Sequence, residues 1–86
     1  MAGKYEGLKL KLDEQFQWPG PYLFKFIVPI EKADALLRLF PSKDWTKKSS
    51  SSGNYLSFTL YQTMASSDDV IDMYRKAEQI EGLIAL

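Results

Sequence analysis

The sequence contains no cysteine and no histidine. Disulfides, thiol nucleophiles, zinc fingers, iron–sulfur clusters and histidine general bases are thereby excluded together. Any catalysis would fall to carboxylate, lysine, tyrosine, serine or arginine chemistry. Net charge is missing too: Lys+Arg and Asp+Glu each number 11. A neutral chain gains little long-range attraction to phosphate backbones or anionic lipid, which weighs against a general nucleic-acid binder. The opening stretch MAGKYEGLKLKLDEQF has no apolar h-region of the kind a signal peptide needs, and no apolar run approaches membrane-spanning length. With the lack of cysteine, a soluble cytoplasmic protein that does not engage a membrane is the expectation.

What is present is apolar and aromatic material in a short chain. Eighty-six residues make one domain, 45% of them hydrophobic, with five Phe, five Tyr and two Trp. A chain of this length buries roughly 60–65% of its unfolded surface, so the core must be well used.

Residues 4–17 are ambiguous. Leu8, Leu10 and Leu12 alternate with Lys9 and Lys11 as in a strand, whereas Leu12 and Phe16 stand four apart as in a short helix. Residues 1–17 are read as an N-terminal arm outside the central fold, and residues 18–86 as the domain. Trp18-Pro19-Gly20-Pro21 stops regular structure, because two prolines fix φ and remove donors. Tyr22 to Val28 is the strongest strand, with Lys25 its only charge, and both of its faces are largely apolar, which suits a central position. Pro29 ends it. Residues 31–40 predict a helix with Ala33, Leu36, Leu37 and Phe40 on one stripe, closed by Pro41.

Asp44 to Ser49 reads as a weaker strand whose lysines suit a sheet edge. Ser49 to Asn54 is a turn, and Tyr55 to Met64 alternates cleanly, so the two runs form a hairpin. Ser66 to Asp69 fits a capping box that opens a second helix with Val70, Met73, Tyr74 and Ala77 on its buried side. Gly82 to Leu86 reads as a last short apolar strand. The order strand–helix–strand–strand–helix–strand predicts an α+β, ferredoxin-like βαββαβ sandwich. It has a four-stranded antiparallel sheet with two helices on one face. Right-handed crossovers put the first and third strands in the middle.

Three segments carry a family resemblance: Trp18-Pro19-Gly20-Pro21-Tyr22-Leu23-Phe24-Lys25-Phe26, Ser50-Ser51-Ser52-Gly53-Asn54-Tyr55-Leu56-Ser57, and Ile80-Glu81 before a short apolar strand. They resemble the aromatic-Pro-x-Pro strand entry, the Ser-Ser-x-Gly-Asn-Tyr-x-Ser turn and the chain ending of the YbeD-like family, a family of unknown function. The resemblance runs from residue 11 onward. Its most specific piece is the Ser-Gly-Asn-Tyr turn, and no piece is a catalytic signature. The sequence departs in a shorter first helix, in Ser49 where a proline is expected, and in a longer N-terminal arm. The resemblance implies a fold similar to the ACT regulatory domains, which bind small ligands, often amino acids, at domain interfaces. Members are often labelled lipoate regulators, a label that reads as naming by association.

Two candidate sites follow. The turn Ser50, Ser51, Gly53, Asn54 and Tyr55 could cradle an anion with hydroxyls and backbone N–H groups, or could simply be a solvated hairpin with Gly53 at positive φ. The outer sheet face holds Leu23, Lys25, Ile27, Ser57, Thr59 and Tyr61 beside Tyr55. With Leu83 and Ile84 on the last strand it forms an interaction surface, unless the N-terminal arm folds across it. RNA binding on this face is disfavoured: aligned on Gly53, Asn54, Leu56 and Thr59 occupy the three aromatic positions of the RNA-recognition signature. Lys43, Lys47 and Lys48 form a small basic run that could receive a carboxylate or phosphate, though such lysines more often protect a sheet edge, and Asp68 and Asp69 suit a helix start rather than a metal site. The expectation is a non-catalytic regulatory module without cofactor or metal. It would bind an amino acid or small acid, a protein partner, or both, as a homodimer. The alternative is a pure protein-interaction adaptor acting through the sheet face or the apolar edge Leu83–Leu86.

Overall fold

The computed structural model describes residues 5–86, so residues 1–4 of the arm lie outside the described residues. The elements are α1 (Glu6–Gln15), β1 (Gly20–Pro29), a 3-10 turn (Ile30–Lys32), α2 (Ala33–Leu39), β2 (Thr46–Ser49), β3 (Tyr55–Met64), α3 (Ser67–Ala77) and β4 (Ile84–Ala85). The fold is α+β: one open, antiparallel four-stranded sheet in the order β2-β3-β1-β4, with three α-helices. The two runs with clean alternation or aromatic density, β1 and β3, hold the centre.

β1 and β3 pair over their full length, from Gly20 opposite Met64 to Pro29 opposite Tyr55. Because strand side chains alternate between faces, this register gathers Phe24, Phe26 and Val28 with Leu56, Phe58 and Leu60 on one side, all buried. Leu36 and Phe40 from the α2 region, and Val70, Ile71 and Ala77 from α3, close over that side in one cluster. Phe40 stacks on Phe26 at 5.9 Å, and Trp45 meets Phe58 edge-on at 6.0 Å. The Trp45 Nε1–H donates to the Phe40 carbonyl at 2.9 Å, which satisfies the indole while its ring covers the core beside β2.

α3 starts as its sequence requires. The Ser66 hydroxyl accepts from the Asp69 N–H at 3.2 Å, a cap whose loss typically costs about 1 kcal/mol. Asp68 and Asp69 lie in its first turn, Arg75 and Lys76 in its last, each at the favourable end of the dipole. The turn after α3 needs Gly82, which has φ +82°; a Cβ there would stand 2.8 Å from the Pro29 side chain.

Four details differ from the expectation. The segment before Trp18 is not a detached arm over Glu6–Gln15: it is a third helix, and Leu12, 3% exposed, belongs to the core. The helical period makes Leu8 and Leu12 neighbours on one side and turns Leu10 out, 62% exposed. In α2, Leu37 is 38% exposed, because only Leu36 and the partly buried Ala33 and Leu39 face the sheet in this short helix. In α3, Ile71 is buried beside the expected Val70 and Ala77, while Met73 and Tyr74 are half-buried at its margins. Finally, the last strand is two residues long, not five, because Gly82 is still in the turn.

α1 is tied to α3 by side chains far apart in sequence. Lys9 Nζ donates to the Ser67 hydroxyl at 3.1 Å and lies 3.0 Å from Asp68 Oδ1 and 3.7 Å from Asp13 Oδ2. The Ser67 hydroxyl, with Lys9 and the Trp18 indole, holds the Asp13 carboxyl below the usual carboxylate range. At the far end of α1, the Tyr5 hydroxyl donates to Glu78 and its ring stacks on Tyr74.

Because Leu12 fills the same core as β1 and β3, Leu12→Ala should destabilise the whole domain by about 2–4 kcal/mol. Urea denaturation checks this. A loss below about 1 kcal/mol would mean that α1 frays independently of the sheet.

Candidate functional site

Among the described residues all three helices pack on the Phe24–Phe26–Phe58 side, and the opposite face of the sheet carries no helix. The register lays out that face in rows. Lys48 of β2, Ser57 of β3, Ile27 of β1 and Ile84 of β4 form one row. Thr46, Thr59 and Lys25 form the next, and Tyr61 and Leu23 a third. Leu23, Tyr55, Tyr61 and Ile84 are exposed, Tyr61 to 66%. The face expected from the sequence is thus assembled, and α1 lies elsewhere.

The serine turn meets this face at one end. A groove of about 450 Å³ is lined by Lys25, Ile27, Lys48, Ser49, Ser50, Ser51, Tyr55, Ser57 and Leu86. It joins part of the turn to part of the sheet surface, two sets that the sequence suggests separately. Gly53 and Asn54 do not line it. They build the turn: Gly53, at φ +77°, donates its N–H to the Ser50 carbonyl at 3.1 Å, and the Asn54 carbonyl accepts from the Ile30 N–H at 2.9 Å. The Ser50 hydroxyl accepts from the Tyr55 N–H at 3.2 Å and shares a hydrogen bond with the Ser52 hydroxyl at 3.2 Å. The turn is therefore held from within, the Tyr55 amide pointing to the Ser50 hydroxyl and the Gly53 amide to the Ser50 carbonyl.

Leu23 and Tyr61 stand at the opposite end of the face, away from the turn. Leu83 is half-buried against the core and borders a different groove, while Ile84, 52% exposed, lies on the outer face. Lys48, read from the sequence as part of a basic edge run, completes the outer-face groove with Ser49 and Leu86. The Lys48–Ser57 pairing becomes visible only once the hairpin register is fixed.

A second groove of about 520 Å³ opens between α1, α3 and β4, lined by Tyr5, Leu8, Tyr22, Tyr74, Ala77, Glu78, Leu83, Ala85 and Leu86. Nothing in the sequence marks it, since its tyrosines come from three elements with no common spacing. Its polar groups are engaged with one another: the Tyr22 and Tyr74 hydroxyls share a hydrogen bond at 3.0 Å and Tyr5 donates to Glu78. The outer-face groove differs in kind. It contains two lysines and no carboxylate side chain, and among the described residues neither Lys25 nor Lys48 makes an ion pair. It is the better candidate for a charged ligand. Among the described residues no three metal-ligating side chains converge, and no helix is long and apolar enough to cross a membrane.

Compared with known proteins, the chain matches no family model, no curated protein and no solved structure.

The tyrosine cluster gives a pH prediction. Burial, then the hydrogen bond to Glu78, pushes the Tyr5 hydroxyl up to about 12. Burial, then the Tyr22 hydroxyl, pushes Tyr74 up as well. Folded-state values above the unfolded ones mean that the stabilisation is complete below about pH 10 and is lost as pH rises through the folded values. Tm should fall above pH 10. Tyr74→Phe should flatten that fall, and an identical alkaline slope in wild type and variant would refute the assignment.

Proposed function

We propose that the chain is a non-catalytic regulatory module of ferredoxin-like arrangement that acts by binding a small ligand on its open sheet face. The observation that carries this reading is the uncovered face itself, with its exposed Leu23, Tyr55, Tyr61 and Ile84 and its groove at the serine turn. A large exposed apolar patch rimmed by polar groups generally marks a binding surface. The arrangement is supported by the central placing of β1 and β3 with β2 and β4 at the edges, which is what two right-handed crossovers of a βαββαβ chain produce. α1 is then an addition ahead of the motif. The resemblance of Trp18–Phe26 and Ser50–Ser57 to the YbeD-like family favours the same module and its likeness to ACT domains. Fold likeness of this kind carries no ligand specificity. The non-catalytic reading is supported by the missing cysteine and histidine and by the burial of Ser67, whose hydroxyl meets Lys9 and Asp13 inside the packing of α1 on α3.

A thermal-shift screen against amino acids, lipoate and common metabolic acids tests the proposal. A ligand at ten times its Kd should stabilise the fold by roughly 1.4 kcal/mol. In a domain of this size that is a Tm rise of several degrees. A flat screen on folded protein would remove the ligand-binding reading.

The adaptor reading is favoured by β4, a short uncharged edge strand that can accept a partner strand. Under it, Ile84→Lys should abolish self-association or partner capture while leaving Tm within a few degrees, since Ile84 is outside the core. Unchanged sedimentation and capture by the folded variant would exclude this edge. Leu83 is the poorer probe, because a charge there would also strike the core.

A further inference from the structure

On the outer face Lys48 stands opposite Ser57 and Lys25 opposite Thr59, one row away, on strands separated by β3. Strand spacing and rise put their Cα atoms about 12 Å apart, within which two extended lysine side chains can meet over one anion. Neither lysine has an ion-pair partner among the described residues, and no acidic side chain lines the groove. Two like charges held near each other raise the local potential, and no acidic side chain of the groove offsets it. Beside them stand Ile27, Tyr55 and Leu86, an apolar wall, and the hydroxyl-bearing Ser50, Ser51 and Ser57. The turn that closes the groove is already fixed by its internal hydrogen bonds, so little ordering is required when something binds.

We infer that this groove binds a small organic dianion, with its two negative charges at Lys25 and Lys48 and an apolar segment against Ile27, Tyr55 and Leu86. The inference rests on the proposed ligand-binding role of the face and specifies its ligand. The charge count selects a dianion over a monoanion. The volume of about 450 Å³ suits a small metabolite and is too confined for a folded partner. Lys47 provides an internal comparison. It neighbours Lys48 on β2 but sits opposite Phe58, on the other side of the sheet, so it adds the same net charge without entering the groove.

The test is a titration of the full chain followed by amide chemical shifts. Phenyl phosphate and adipate are the dianionic probes, hexanoate the monoanion and hexylamine the cation. Both dianions, or one of them, should give saturable shifts centred on residues 25, 27, 48–51, 55 and 57. The one that binds names the headgroup as phosphate or dicarboxylate. Hexanoate should bind several-fold more weakly and hexylamine not at all. Lys25→Gln and Lys48→Gln should each weaken binding about threefold to fivefold and the double variant about tenfold or more, while Lys47→Gln changes it less than twofold. Raised ionic strength should weaken binding of the dianion. Equal binding of hexanoate and hexylamine, or equal effects of Lys47→Gln and Lys48→Gln, would overturn the inference. So would the absence of saturable shifts from either dianion. If other compounds then bind at the Leu23–Tyr61 end of the face, the ligand-binding role stands and only the dianion site fails. If nothing binds anywhere on the face, both fall.

Discussion

Ten residues of β1 lie opposite ten of β3 without a bulge, and every other part of the molecule is placed by that pairing. A slip of one residue would send Phe24, Phe26 and Val28 to the open side and bring Lys25 into the core. The register is pinned by the cost of that exchange. Burying an unpaired lysine and exposing two phenylalanines is unfavourable on both counts. With the register set, the hairpin places β2 with its lysines at one edge. The crossover through α3 brings β4 to the other.

The two sides of the sheet then meet different needs. The phenylalanine side requires cover, and three helices supply it, α1 with a single core leucine and two anchors on α3. The other side keeps a mixture that water tolerates: threonines and a serine along β3, lysines on β1 and β2, and a few aliphatic and aromatic groups between them. Its two ends are chemically distinct. The turn end is cationic and rich in hydroxyls, and the Leu23–Tyr61 end is apolar. A binding surface with a polar and an apolar end orients what it binds, which neither end alone could do.

The sheet was legible because its determinants are local. Period-2 alternation in Tyr55–Met64, aromatic density in Tyr22–Val28 and lysines at an edge each point to one conformation. The capping serine made α3 equally plain. α1 was not legible, since its three leucines alternate as in a strand while only Leu8 and Leu12 turn inward, and tertiary packing on α3 decides between the two periods. β4 was overestimated because four apolar residues after a glycine look like a strand, whereas Gly82 belongs to the turn. For the site, the turn and the face could be read separately. Their junction could not, because the groove depends on the pairing of Lys48 with Ser57 and on the return of Leu86 beside Lys25, both of which are long-range facts.

The anchors of α1 bear on how the protein is made. Lys9 reaches Ser67, 58 residues along the chain, and Tyr5 reaches Glu78, 73 residues along. The hairpin of β2 and β3 needs only neighbouring residues and can form as soon as they leave the ribosome, whereas α1 has no place to dock until α3 has followed. Until α3 is made the phenylalanine side of the sheet therefore lacks its final cover, and α1, ten residues long and marginal as an isolated helix, has nothing to hold it. Closure of the core therefore waits for α3, which covers the sheet and gives α1 its docking surface in the same step.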